Sequence, residues 1–218
     1  MDTGNSIRLQ LTVHYDGSGF RGWQFQPEQR TVQGELEAAL SRLADRPRSV
    51  LGSGRTDTGV HATGQVASVD MPRQWTADRL HRSLNSVLPR DIWVADIRQV
   101  HNDFHPRYDA VARTYAYRVG TAPEARSPFH RRWCWPLGDD LDTGVLRKAA
   151  TTLTGEHSFL AFAKTGQPER GDRCTVAAAR WEAWELGPSF VITADRYLHH
   201  MVRYLVGTMV DMARGRRP

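Results

Sequence analysis

The order in which two hydrophobic periods follow one another constrains this chain most. Residues 7–13, IRLQLTV, alternate strictly. Ile7, Leu9, Leu11 and Val13 point one way and Arg8, Gln10 and Thr12 the other, the period-two pattern of a half-buried strand. A loop rich in glycine, arginine and aromatics follows, HYDGSGFRGWQFQPEQR. Next comes TVQGELEAALSRLAD, where Val32, Leu36, Ala39, Leu40 and Leu43 share one helical stripe behind a Thr31 cap. A short strand at 48–51, a strand at 65–70, a helix opened by Thr76 and stopped at Pro89, and a strand at 92–100 complete the series. The order β-α-β-β-α-β is that of the split βαβ or ferredoxin-like unit. Many RNA-binding sheets share this plan, as do proteins of unrelated function.

The rest of the chain repeats the count as far as it goes. A strand is expected at 112–119, a helix at 141–153, strands at 175–185 and 189–195, and a helix at 197–213 with Leu198, Met201, Val202, Leu205, Met209 and Met212 on one face. The polar loop at 164–172 is expected to be mobile. The expected fold class is therefore α/β (α+β), two ferredoxin-like halves with antiparallel sheets, divided as 1–103 and 104–218. The sequence stops at RGRRP before a sixth element, so the second half is expected to lack its last strand, as in a C-terminally truncated or shortened chain. The repeat lies in the pattern alone; the halves show no residue-level similarity.

Composition sets outer limits. The 218 residues suffice for one large or two small domains. No apolar run approaches a membrane span, and MDTGNSIRLQ has no apolar signal core, so a cytoplasmic protein is expected. Cys134 and Cys174 form no CxxC pair and read as reduced thiols. The net charge of +5 makes nucleic acid a candidate partner. Only Lys148 and Lys164 are lysines, and the other 27 of the 29 basic residues are arginines. Arginine suits phosphate forks and base stacking, but a GC-rich genome gives the same bias.

The stretch GSGRTDTGVHATGQVASVD, residues 52–70, places one acid, Asp57, among glycines and beside Arg55. The spacing of Gly52, Gly54 and Gly59 fits neither a dinucleotide fingerprint nor a P-loop, and an aspartate would repel phosphate. Two readings stand: a carboxylate presented to a ligand that approaches the backbone closely, or an ordinary Asx-turn closed by Gly59.

Several blocks in order resemble the tRNA pseudouridine synthase A family. They are the Asp57 stretch, YDGSGFRGWQFQP with RTVQGELEAAL, LNSVLPRDIWV, FHPRYDAVARTYAYRV, SPFHRRWCW, LTGEHSFLAF and YLHHMVRYLVGTMVD, covering residue 7 to the end. The resemblance implies isomerisation of uridine to pseudouridine at positions 38 to 40 of the tRNA anticodon stem-loop. It also implies two halves forming a central cleft, a homodimer, and neither cofactor nor metal. It places the catalytic carboxylate at Asp57, its guanidinium partner at Arg203, an active-site tyrosine at Tyr115 and a base-exposing contact at Arg55. The chemistry agrees with a single acid. The base never departs, so the second carboxyl and positioned water of a glycosidase are not needed. A carboxylate shielded from water is penalised unless a cation faces it, the role implied for Arg203.

Each residue also has a plainer reading. Arg203 fits a solvated charge beside a helix stripe. Tyr115, like Tyr117 on the same strand face, fits a half-buried aromatic. Arg55 fits a surface arginine bonded to its own loop. Phe20, Arg21, Trp23 and Phe25 could stack on RNA or bury under the sheet edge. His199 and His200, adjacent on the expected helix, would point about 100° apart and suit packing or RNA contact better than a metal. Two positions depart from the family's pattern: Tyr204, where a polar residue is common, and Ser158, where Asp is usual. The alternative function on this scaffold is a catalytically weak tRNA-binding or tRNA-folding protein. A hydrolase using Asp57 is a third reading, disfavoured because the loop has no second carboxylate.

Overall fold

The computed structural model describes residues 6–164 and 171–217, and most of the loop expected to be mobile lies outside them. The chain divides into two compact units, Met1–Ala110 and Val111–Pro218. The first unit thus takes in the segment 104–110, which the sequence pattern assigns to the second half. A physical tie explains why: Arg8 on the first strand donates from Nη1 to the carbonyl of Phe104 at 3.0 Å.

In the first unit the elements are β1 (Ser6–Tyr15), α1 (Val32–Ala44), β2 (Val50–Gly52), β3 (Ala62–Pro72), α2 (Ala77–Val87) and β4 (Ile92–Val100). The sheet order is β2-β3-β1-β4, with β1 antiparallel to both neighbours. The alternation in β1 explains the layering. Leu9, Leu11 and Val13 are fully buried beneath Val32, Leu36 and Leu40 of α1 and Leu80 and Leu84 of α2. Truncating one such leucine to alanine costs about 2–5 kcal/mol. Thr31 and Thr76 cap the helices by accepting from the N–H groups of Gly34 and Arg79. Helix α2 ends because Leu88 precedes Pro89, which disfavours helical backbone, and Leu88 is extended at φ −70°, ψ 149°.

The second unit contains β5 (Arg113–Gly120), β6 (Trp135–Pro136), α3 (Thr143–Thr151), β7 (Gly155–Ser158), β8 (Arg173–Trp184), β9 (Gly187–Ala194) and α4 (Met201–Ala213). Its sheet order is β6-β5-β9-β8-β7. The core lies between this sheet and the helices, with Met201, Leu205, Val206, Met209 and Val210 of α4 packed with Phe190, Ile192 and Leu146. The molecule is therefore mixed α/β, with a four-stranded and a five-stranded sheet of mainly antiparallel pairing. Among the described residues, the outer edge of β5 is paired only by β6, at Val119 and Gly120, where the first unit has the full-length β4.

Two expected helices are shorter than their apolar stripes. The helix expected over 141–153 spans Thr143–Thr151, with Asp142 accepting from Gly144 and Val145 as its cap. The helix expected from residue 197 begins at Met201, because His200 takes left-handed backbone at φ 65°. Tyr197 and Leu198 are instead drawn onto the sheet, with the Tyr197 hydroxyl 2.8 Å from Ile192 O and 3.0 Å from Arg113 O. His199 and His200 consequently lie in a turn with ring centroids 4.2 Å apart, not on successive positions of a helix. Strands β6 and β7 were not anticipated. Each is short, and neither alternates between apolar and polar residues.

Candidate active site

The residues singled out by sequence fall in both units. In the first, Asp57 and Arg55 sit on the loop between β2 and β3. The base of that loop is tied across the strands: Ser53 N–H donates to Val66 O at 2.8 Å, Ser53 Oγ to Gln65 Oε1 at 2.8 Å, and Gln65 Nε2 to Gly54 O at 2.8 Å. The turn at Asp57 is closed by backbone, Val60 N–H to Asp57 O at 3.2 Å, with Gly59 at φ +78°. Asp57 is half-buried and Arg55 exposed.

The segment after β1 braces this loop from the side. Trp23 N–H donates to Thr56 O at 3.0 Å, the Tyr15 and Thr56 hydroxyls are hydrogen-bonded at 2.8 Å, and Gly17 N–H donates to His61 Nδ1 at 3.1 Å. The approach is as close as backbones allow. A methyl group at Gly17 would stand 2.1 Å from Val60 O. At Gly22 it would stand 2.7 Å from Thr56 O, on backbone at φ +93°. Residues 16–23 and 56–61 thus form one interlocked pair of loops, and the carboxylate-bearing residue is positioned by atoms far from it in sequence. Tyr15, Gly17, Gly22 and His61 were given no role by sequence reasoning. The clue available was the pairing of two glycine-rich stretches, DGSGFRG and GSGRTDTG, at the same end of neighbouring strands.

The aromatic-basic loop divides between its two readings. Phe20 and Trp23 are buried in the core, whereas Arg21 and Phe25 are exposed. Arg30 lies over the Phe20 ring, 4.2 Å from its centroid, and forms a two-pronged pair with Asp91 at 2.6 and 2.9 Å. The Asp91 hydrogen bonds hold the Arg30 guanidinium even more firmly protonated than usual.

In the second unit, Tyr115 and Tyr117 are half-buried on one face of β5, with Tyr115 paired in register with Ile192. The Tyr115 ring meets the edge of Tyr197 at 4.8 Å. Burial, reinforced by the neighbouring Tyr115 phenol, pushes the Tyr197 phenol well above its ordinary value. Burial likewise raises Tyr117, and the positive charge of Arg203 pulls it partly back. Arg203 lies exposed in the first turn of α4, and a methyl group at Gly207, one turn on, would meet open space. The two positions that depart from the family pattern are both exposed. Tyr204 follows Arg203 on α4, and Ser158 ends β7 with its hydroxyl donating to Asp172. Both cysteines are free, and burial raises both thiols, which keeps them in the unreactive protonated form.

Such a frame, a split βαβ unit that presents a carboxylate on a braced loop, together with a second α/β unit bearing clustered tyrosines and an exposed helix arginine, defines the class as a two-unit α/β protein with a loop-borne acid. Comparison with known proteins gives the family. The family model described as tRNA pseudouridine synthase matches residues 11–109 and 149–218. The tRNA pseudouridine synthase A of Myxococcus xanthus is 41% identical over 97% of this chain and 80% of its own length. Those of Chlorobaculum tepidum and Moorella thermoacetica are 40% and 41% identical, each over 95% of this chain and over 83% and 85% of their own lengths. The chain belongs to the tRNA pseudouridine synthase family. Arg55, Asp57 and Arg203 lie within the matched residues, and Tyr115 lies between the two matched segments.

Proposed function

We propose that this protein isomerises uridine to pseudouridine in tRNA, at positions 38 to 40 of the anticodon stem-loop, with Asp57 as the catalytic carboxylate. In this reaction the N1–C1′ bond breaks, the uracil turns, and a C5–C1′ bond forms. The C5 proton leaves and N1 regains a proton, so neither oxidant nor reductant is required. Asp57 supplies the negative oxygen that acts at C1′ or at C6. Arg203 is assigned as the guanidinium that keeps this carboxylate ionised once RNA has displaced water. Tyr115 is assigned to stack on the uracil and to assist removal of the C5 proton. Arg55, exposed two residues before Asp57, is assigned to fill the space left by the extruded nucleotide or to hold its flanking phosphate. That extrusion costs a few kcal/mol.

One observation carries the reading: family membership together with a lone aspartate on a loop whose every approach is fixed by backbone contacts. Preorganisation of this kind lowers the barrier because the charged oxygen need not be brought into place during the reaction. The same reading makes the protein a cytoplasmic homodimer whose two copies share one tRNA. No described helix is long and apolar enough to cross a membrane.

The test uses tRNA tritiated at uridine C5. Asp57→Asn is expected to reduce tritium release by about a thousandfold or more while tRNA affinity stays within a few-fold of the parent. Undiminished release by Asp57→Asn would overturn the assignment.

A further inference from the structure

The second unit exposes a loop that the assigned site does not use. Between Glu124 and Asp139 the sequence runs ARSPFHRRWCWPLG, with three arginines and no acid. Phe129 is 82% exposed and Trp133 40% exposed, and Arg131 and Arg132 are exposed beside them. The Arg132 guanidinium lies 5.9 Å from the Trp133 ring centroid. Arg118, on the adjacent strand, lies over Trp184 at 5.3 Å. These residues fall outside the segments that the family model matches.

The loop is built, not slack. Ser127 O accepts from the N–H groups of His130 and Arg131 at 3.0 and 2.8 Å, and Trp133 N–H donates to His130 O at 2.8 Å, giving consecutive closed turns. Its foot is wedged against the sheet. Ala125 is fully buried, and a methyl group at Gly120 would stand 2.2 Å from Ala125 Cβ and 3.2 Å from Cys134 Sγ. Apolar rings are thus held out in water at fixed positions between guanidinium groups. A monomer gains nothing from such exposure.

We propose that the loop at 126–133 is a second RNA-contact surface that grips a single-stranded part of the tRNA away from the reacting nucleotide. Arg131 and Arg132 pair with backbone phosphates, and Phe129 and Trp133 stack on unpaired bases. Charge selects this occupant. A polyanion neutralises the arginines, whereas a second copy meeting the loop about a two-fold axis would set guanidinium groups against one another. Base stacking on exposed aromatics is indifferent to sequence, which suits an enzyme that must accept several tRNAs. The proposal rests on tRNA being the substrate, but not on Asp57 being the catalyst.

The experiment measures the dissociation constant for unmodified tRNA across a salt series, alongside mass by light scattering and tritium release at saturating tRNA. For the double variant Arg131→Glu/Arg132→Glu, affinity is expected to fall at least about tenfold, and the log–log salt slope to flatten by about 1.5–2, as for two lost phosphate contacts. Phe129→Ala should weaken binding about five- to tenfold with the slope unchanged, since stacking releases no counterions. Arg131→Lys/Arg132→Lys should keep the slope, and release at saturation should match the parent throughout. Unchanged affinity and slope in the glutamate variant would overturn the proposal, and so would a fall from dimer to monomer mass, which would make the loop a self-interface. If Asp57→Asn abolishes turnover while the loop variants bind normally, only this inference falls. If the parent releases no tritium but the loop variants bind weakly, the catalytic reading falls and the loop surface stands.

Discussion

The two units place their chemistry-bearing side chains in opposite ways. In the first, the key residue sits on a loop, and the regular elements serve only to anchor it. In the second, Tyr115 is on a strand and Arg203 on a helix, each fixed by the register of its own element. A strand residue inherits its direction from the pleat and a helix residue from the turn. A loop residue inherits nothing. The first unit supplies the missing constraint by pressing a second loop against it, through Gly17, Gly22, Tyr15 and Trp23. Side chains on regular elements therefore need ordinary core packing, whereas a carboxylate on a loop needs specific backbone contacts that a single methyl group can break.

The largest effect that tests this contrast is expected from Gly17→Ala. The new Cβ would fall 2.1 Å from Val60 O, so one loop must shift. Displacing a reacting group by about 1 Å costs about a hundredfold in rate. Gly17→Ala should therefore lower kcat about a hundredfold with KM for tRNA changed by less than about threefold, because phosphate contacts lie elsewhere. Steady-state tritium release measures both. Gly207→Ala in α4 is the matched control, since its methyl group meets open space and alanine favours helix. Parental kcat in Gly17→Ala would break the comparison.

How much of this was readable beforehand follows the same division. Strand β4 falls at 92–100 in both the sequence reading and the structure, and helix α1 carries the stripe read for it, because periodicity reports burial directly. The sequence also offered the Asp57 loop as a candidate, since glycines around one acid are visible in one dimension. It could not show the brace. The partners of Thr56 and Val60 lie some forty residues earlier, and nothing local in DGSGFRG announces which loop it will touch. The start of α4 was misjudged for a related reason. Tyr197 and Leu198 have helical spacing but are captured by the sheet, where a hydroxyl finds two carbonyls. The aromatic loop from Phe20 to Phe25 stayed undecided because burial there depends on which ring reaches the core first, and Trp23 does so by packing its indole against Gly52.

A middle-sized effect is expected in the second unit and concerns pH. Burial, and then the Tyr115 phenol, raise the Tyr197 phenol above its ordinary 10.0. Below that pH both folded and unfolded chains keep the proton, and the stabilisation is fully present. As pH rises past about 10 the unfolded chain releases its proton first, so stability falls. Thermal melting from pH 8 to 11 should show this decline. Tyr197→Phe should cost about 1 kcal/mol at pH 8, from the lost hydrogen bonds, yet decline less steeply above pH 10. Equal slopes for parent and variant would remove Tyr197 from the account and leave the second unit's stability to its apolar packing alone.

The smallest effect sharpens the contrast most, because it removes one atom. Tyr15→Phe deletes the hydroxyl bonded at 2.8 Å to Thr56 Oγ1 and leaves the ring in place in the core. A hydrogen bond of this kind contributes about 0.5–1.5 kcal/mol. If it served stability alone, the whole loss would appear in the melting temperature and kcat would be untouched. If it positions the residue next to Asp57, kcat should fall about three- to tenfold while KM holds. The double variant Tyr15→Phe/Thr56→Val should then be no worse than either single change, since the two hydroxyls act as one contact. Additive losses would mean that each hydroxyl works through another partner. The brace would then rest on the backbone contacts at Gly17, Gly22 and Trp23 alone.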